Sequence, residues 1–302
     1  MALQSPSLDV GGAVLVTPKP TAGGRGYWQS VGRRLRRDPV TLICAAILIL
    51  LVLASMAAPY LNLADPYKTS MLRRLHPIGS PNHWLGTDEL GRDMFARLIY
   101  GGRLSLFMGV TPVVFALLIG GSLGILAGFV GGKTNMAIMR VMDVFYAFPS
   151  VLLAISLSGA MGAGTENTLL SLTLVFIPPI CRVSESVTTQ VRGFDFVDAA
   201  KASGASAFTI VRVHVLGNVL GPILVYATSL ISVAIILAAG LSFLGLGVKP
   251  PEPEWGLMLN TLRQAIYVNP VLAALPGVMI FVTSICFNLM SDGLRAAMDV
   301  KA

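Results

Sequence analysis

Ala127-Gly128-Phe129-Val130-Gly131-Gly132-Lys133-Thr134 fits a relaxed phosphate-loop pattern that allows Ala in its first position. Such a loop cradles phosphate with backbone N–H groups and needs a strand before it and a helix after it. Here it closes a long apolar run, so it reads as a glycine-rich helix end with a basic anchor, and the chain is expected to bind no ATP of its own. His76, His83 and His214 are dispersed and have no ligand spacing. Cys44, Cys181 and Cys286 each fall inside an apolar stretch, without metal-ligand spacing or a disulfide framework, and read as buried small hydrophobes. No metal site is expected, and no Ser has a nearby His/Asp partner on a surface that the sequence predicts. Arg140 and Asp143 sit three apart and can pair on one helix face, and Glu185 can pair with Arg182. A carboxylate entering a membrane helix is functional or, near the interface, structural, and both readings stay open. The lack of other charges well inside the spans argues against an ion-gradient carrier.

These residues are held by an apolar chain. It is 54% hydrophobic and only 12% charged, which excludes an ordinary soluble domain. Long apolar runs separated by short polar connections predict an all-α polytopic membrane protein with six spans. They are placed at Val40 to Ala58, Leu104 to Val130, Ala137 to Ala160, Leu169 to Val183 (short, with Pro178-Pro179), Val219 to Leu244 and Val271 to Met290. The formal charge of +7 comes from basic residues at helix ends, with no nucleic-acid stripe. Arg33-Arg34-Leu35-Arg36-Arg37 before the first span puts both termini in the cytosol, although Arg92, Arg97 and Arg103 weaken the bias. The expected organisation is a cytosolic tail and basic interfacial helix (1–38), a first span (39–60), a periplasmic segment (61–103) and a five-helix core (104–302). Tyr27 and Trp28 are expected at headgroup level. The Arg pair and apolar run superficially resemble an export signal, but the run is too long, and an uncleaved first span is the better reading.

Between the fourth and fifth spans lies Asp195 to Gly217, within a polar loop at 185–217. Asp195 is placed to cap a helix, and Asp198 stands three residues on, an acidic variant of the capping-box spacing. Ala199, Ala200, Ala202 and Ser203 make that helix thin, Gly204 stops it, and Ser206 can cap the next. A short, small-sided helix of this kind can enter a groove on another protein; an ordinary cytosolic loop is the alternative. Gly120, Gly124 and Gly128 line one face of the second span and permit close helix packing.

Asp198-Ala199-Ala200, then Gly204, then His214-Val215-Leu216-Gly217 resembles the EAA loop of ABC-importer permease subunits. Asp198 stands for that family's Glu, His214 for its Ile and Gly217 for its Pro. Leu85 to Asp93 continuing through Arg97 to Leu106, Leu241 to Gly247 with Pro250 to Leu259, and Asn288 to Arg295 resemble one subgroup, the second permease subunit of the dipeptide/oligopeptide/nickel importers. The resemblance implies a cytosolic coupling helix that docks into an ATPase subunit, with Asp195, Asp198, Ala199, Ala200, Gly204, Ser206, His214 and Leu216 in the coupling loop. It also implies a homologous second permease subunit, two ATPase subunits that hold ATP and Mg²⁺, an external solute-binding protein (periplasmic or lipid-anchored) and the bacterial inner membrane. The chain itself would carry no cofactor and no catalysis.

Outside the membrane, Thr87 or Asp88 can cap a helix whose polar face carries Arg92, Asp93 and Arg97. Pro250 to Trp255, with Glu254, reads as a stiff external turn with an interfacial aromatic. Both stretches either shape a mouth for solute or only fix the rim. The expected function is import of di- or oligopeptides. Nickel chelates, opines, glutathione or oligosaccharides are alternatives with the same machinery, and an ion-driven carrier is the alternative of another class.

Overall fold

The computed structural model describes residues 27–298, with side chains from Val31 onward. The expected tail and the headgroup placement of the Tyr27 and Trp28 side chains lie outside the described residues. A short helix α1 (Tyr27–Leu35) leads into α2 (Pro39–Ala57), which closely matches the first expected span. Asp38 starts α2 by accepting the Val40 N–H, and Pro39 supplies a first-turn residue whose missing N–H costs nothing. Exposed Ile43, Leu50 and Leu53 give α2 an apolar outer face suited to lipid.

The second span belongs to a longer helix than expected. α3 (Met94–Val130) has 37 residues, about 55 Å at 1.5 Å per residue, and overshoots an apolar layer of about 30 Å. It begins ten residues before Leu104, because Asp93 caps it through the Ala96 N–H. The third span is broken: α4 (Gly132–Tyr146) and α5 (Ser150–Met161) meet at 84°. Pro149 is the physical reason. It has no N–H to continue the ladder and disfavours helical geometry at Phe148.

The fourth span is also longer than Leu169 to Val183. α6 (Thr165–Arg192) runs through Pro178 and Pro179 because it lies tight against α3. A Cβ at Gly120 would come within 2.6 Å of the Ile177 carbonyl, and one at Gly128 within 2.6 Å of the Glu185 carbonyl. At Gly124 it would overlap the Cys181 carbonyl. The three glycines thus let two backbones touch, the packing expected of small residues at four-residue spacing.

Two small helices follow, α7 (Asp195–Ala202) and α8 (Ala207–Thr209). A π-helical stretch, Ile210–Val215, then feeds α9 (Leu216–Phe243). α10 (Trp255–Thr261) and α11 (Pro270–Met298) complete the bundle. Five helical stretches are long and apolar enough to span a membrane, and the bent α4–α5 pair makes up to six. Buried Met108, Ala116, Leu172, Ile180 and Ala234 form the centre where α3, α6 and α9 meet. Met94, Trp255, Met258, Leu262 and Leu272 form a second core at one end. Cys44, Cys181 and Cys286 are buried and free. Chain direction alternates, so 58–93, 162–164 and 244–269 gather at one end (the outer end below), and α1, α7 and α8 gather at the other.

Candidate functional site

The inner end is built around α7. Its N-cap is Phe194, whose side chain makes no capping bond, so Asp195 is the first helical residue and not the cap expected. Asp195 and Asp198 still sit where the helix N-terminus favours negative charge. Asp198 holds Lys201 at 2.9 Å. Gly204 has φ +79°, and the Ala205 N–H returns to the Ala200 carbonyl at 3.1 Å, closing the helix as a Gly C′ residue does. Ser206 caps α8 by accepting the Thr209 N–H. Only Val197 of α7 is buried, and Asp195, Asp198, Ala199 and Ala202 are exposed.

Three aromatics surround this thin helix that spacing alone did not bring forward. Phe208 is 74% exposed, and Phe194 and Phe196 are also open. The Phe194 and Phe196 rings lie 5.8 Å apart, and His214 lies 6.3 Å from Phe196. His214 therefore extends an aromatic row, and its carbonyl accepts from Asn218. Leu216 starts α9, and Gly217 lies inside that helix, so Gly217 forms no turn. The signal for the aromatics was their placement on both sides of an alanine-rich stretch.

The outer end is the reverse. Asp88, Arg92, Asp93 and Arg97 are buried, which corrects the expectation of an exposed polar face. Asp88 caps no long helix. Its carboxylate accepts from the Leu90 and Arg92 N–H groups at 2.9 Å and from Arg92 Nε at 2.7 Å, with Arg97 Nε at 3.4 Å. Arg97 also donates to the Pro66 carbonyl at 2.9 Å and lies 3.4 Å from the Pro251 carbonyl. Asp93 holds His83 Nδ1 at 2.8 Å while it caps α3. These groups tie 61–93 to the loop before α10, where Tyr67 donates to Glu252.

Trp255 is fully buried rather than interfacial, and its indole N–H donates to the Leu98 carbonyl at 2.9 Å. Glu254 caps α10 by accepting from the Gly256 and Leu257 N–H groups at 2.8 and 2.7 Å. Burial pushes its carboxyl above the usual carboxylate range, while those two N–H groups pull it back. Ser105 on α3 completes the site, donating to Glu254 and accepting the Trp255 N–H.

Two expected ion pairs rearrange. Asp143 pairs with Arg182 at 2.5 Å and not with Arg140, and Arg182 stacks over Tyr146 at 4.6 Å. Glu185 instead accepts from Asn135 at 2.6 Å and from Thr189 at 3.1 Å. In the phosphate-loop look-alike, Ala127 to Val130 end α3 and Gly132 opens α4, so a helix stands where a strand is required. Among the described residues no three His, Cys, Asp or Glu side chains gather as a metal site.

Residues 120–301 match the family model for the binding-protein-dependent transport system inner membrane component, and residues 26–77 match the N-terminal TM domain of oligopeptide transport permease C. A glutathione transport system permease protein of Pectobacterium atrosepticum is 39% identical, covering 92% of both chains. A dipeptide transport system permease protein of Alkalihalophilus pseudofirmus is 39% identical over 95% of this chain and 96% of its own. A probable D,D-dipeptide transport system permease protein of Escherichia coli K12 is 38% identical over 89% and 90%. The inward-facing MetNI methionine ABC transporter aligns with a TM-score of 0.56 at 19% identity, over 68% of this chain and 97% of that one, and so shares the fold. With a family model covering more than half its length, this chain belongs to the binding-protein-dependent transport system inner membrane components.

Proposed function

We propose that this chain is a non-catalytic permease subunit of an ATP-driven importer of short peptides, with α7 as its coupling helix. The observation that carries the coupling role is the exposure of α7: small alanines on its open side, acidic groups at its N-terminus and exposed Phe194, Phe196 and Phe208 around it. An alanine face lets a helix enter a narrow cleft, and flanking aromatics supply large apolar contact at the rim. ATP and Mg²⁺ would be held by two partner ATPase subunits. α7 joins α6 at Gly193 and α9 through the π-helical stretch, so force on α7 reaches the two helices that pack with α3. A π stretch at that junction is a natural place for adjustment. ATP-driven approach of the ATPases would then rock this bundle against a homologous partner permease and alternate access to solute delivered by an external binding protein. This orientation puts α7 and both termini on the cytosolic side of the inner membrane. Di- and tripeptide-like solutes are favoured because the names of similar permeases specify dipeptides and glutathione, all short peptides.

The test is peptide uptake into vesicles that carry the full transporter. Uptake should require ATP and the binding protein and should persist after proton and sodium gradients are collapsed. Uptake that follows a gradient and ignores ATP would replace this reading with a secondary carrier.

A further inference from the structure

At the break between α4 and α5 the bundle holds a cavity of about 270 Å³. Tyr146, Phe148, Val175, Phe176, Pro179 and Val233 are among its walls. Its lining is apolar and aromatic, yet a charged pair stands at its lip. Arg182 and Asp143 touch through one nitrogen and one oxygen, both side chains are 48% exposed, and Arg182 lies over the ring of Tyr146, which itself lines the cavity. Arg182 falls within a helix long and apolar enough to span the membrane. Half-exposed charges on such a helix belong against a partner or a wet passage, since lipid contact is costly. Pro178 and Pro179, which line the cavity, have no N–H to give the carbonyls of Leu174 and Val175, and Val175 is itself a lining residue.

We propose that this cavity and its Arg182–Asp143 lip form a contact site for the passing peptide, a deepening that rests on the peptide reading above. An apolar side chain enters between Tyr146, Phe148 and Val233. The peptide carboxylate meets Arg182, its ammonium meets Asp143, and its N–H groups meet the freed carbonyls. Three of these four contacts recognise backbone or termini, so the site accepts many sequences.

The experiment uses the complete reconstituted transporter with its binding protein, and compares uptake of Gly-Phe, Gly-Gly and Gly-Phe amide. Val233→Trp fills the cavity and should lower the Gly-Phe to Gly-Gly uptake ratio roughly tenfold, the scale of a pocket volume change. Phe148→Ala, at an exposed position, removes one of the walls around the side chain and should also lower that ratio. Arg182→Gln should narrow the preference for Gly-Phe over its amide. Ratios that stay at the wild-type value in all three variants, or loss of the partner permease on purification with ratios unmoved, would overturn the proposal and make the cavity a subunit contact. Wild-type protein that imports none of the three would instead overturn the peptide reading, and this site with it.

Discussion

At the outer end, Asp88, Arg97, Glu254 and Trp255 are 2% exposed or less and each is spoken for by a named partner. At the inner end, Asp195, Asp198 and Ala199 stand open, and Phe208 is 74% exposed. Both regions are rich in polar residues and turns, and both lie at an end of the helix bundle. The difference is where their contacts are made. The outer residues bond to one another and to nearby backbone, and lock 61–93 onto the loop before α10. The inner residues leave their surface for something else. A polar segment that closes on itself works as a rigid cap, whereas one held by a single buried residue, Val197, is placed to receive force from outside.

Breaking the closed end should cost most. Arg97→Met removes the group that bridges Asp88, Pro66 and the loop before α10, and should lower stability by about 3 kcal/mol, the penalty of splitting a buried charge network. Thermal unfolding in detergent reads this directly. Gly124→Ala comes next, at about 2 kcal/mol by the same assay, because its Cβ meets the Cys181 carbonyl of α6. Glu254→Gln should cost about 1 kcal/mol through a weakened cap on α10.

Glu254 also predicts a pH slope. Its folded carboxyl titrates above the ordinary value of 4.5, so the folded state binds its proton more tightly than the unfolded one. Its contribution is therefore lost as pH rises through the folded value and regained as pH falls back toward 4.5. The Gln variant should lack this component, which unfolding midpoints measured across that range would reveal. The smallest thermal effect belongs to the open end. Ala199→Trp, on the exposed face of α7, should change stability by no more than about 0.5 kcal/mol and yet abolish co-purification of the ATPases. Normal co-purification would remove α7 from the coupling role.

The first span and the C-terminal stop of α7 were legible because both rest on local signals: an uninterrupted apolar run after Asp38-Pro39, and alanines ended by Gly204. The glycine face of α3 was legible for the same reason, a fixed spacing on one helix. The outer cap was not. Arg92, Asp93 and Arg97 carry charge beside a membrane span and read as exposed, yet Arg97 reaches the carbonyls of Pro66 and Pro251, 31 and 154 residues away. The 39 residues between Asp143 and Arg182 hid their pairing in the same way, and local spacing favoured Arg140 instead. Pro149 marks a break by its missing N–H, but a proline fixes no angle between the two helices by itself, and the 84° bend is seen only in the fold.

The most direct measurement is photo-crosslinking from one residue at each end of the assembled transporter. A crosslinker at Ala199 should capture an ATPase subunit, and one at Leu72, which is 95% exposed at the outer end, should not. Capture of the ATPase from Leu72, or none from Ala199 in a complex that still hydrolyses ATP and imports peptide, would contradict the assignment of α7 as the coupling helix.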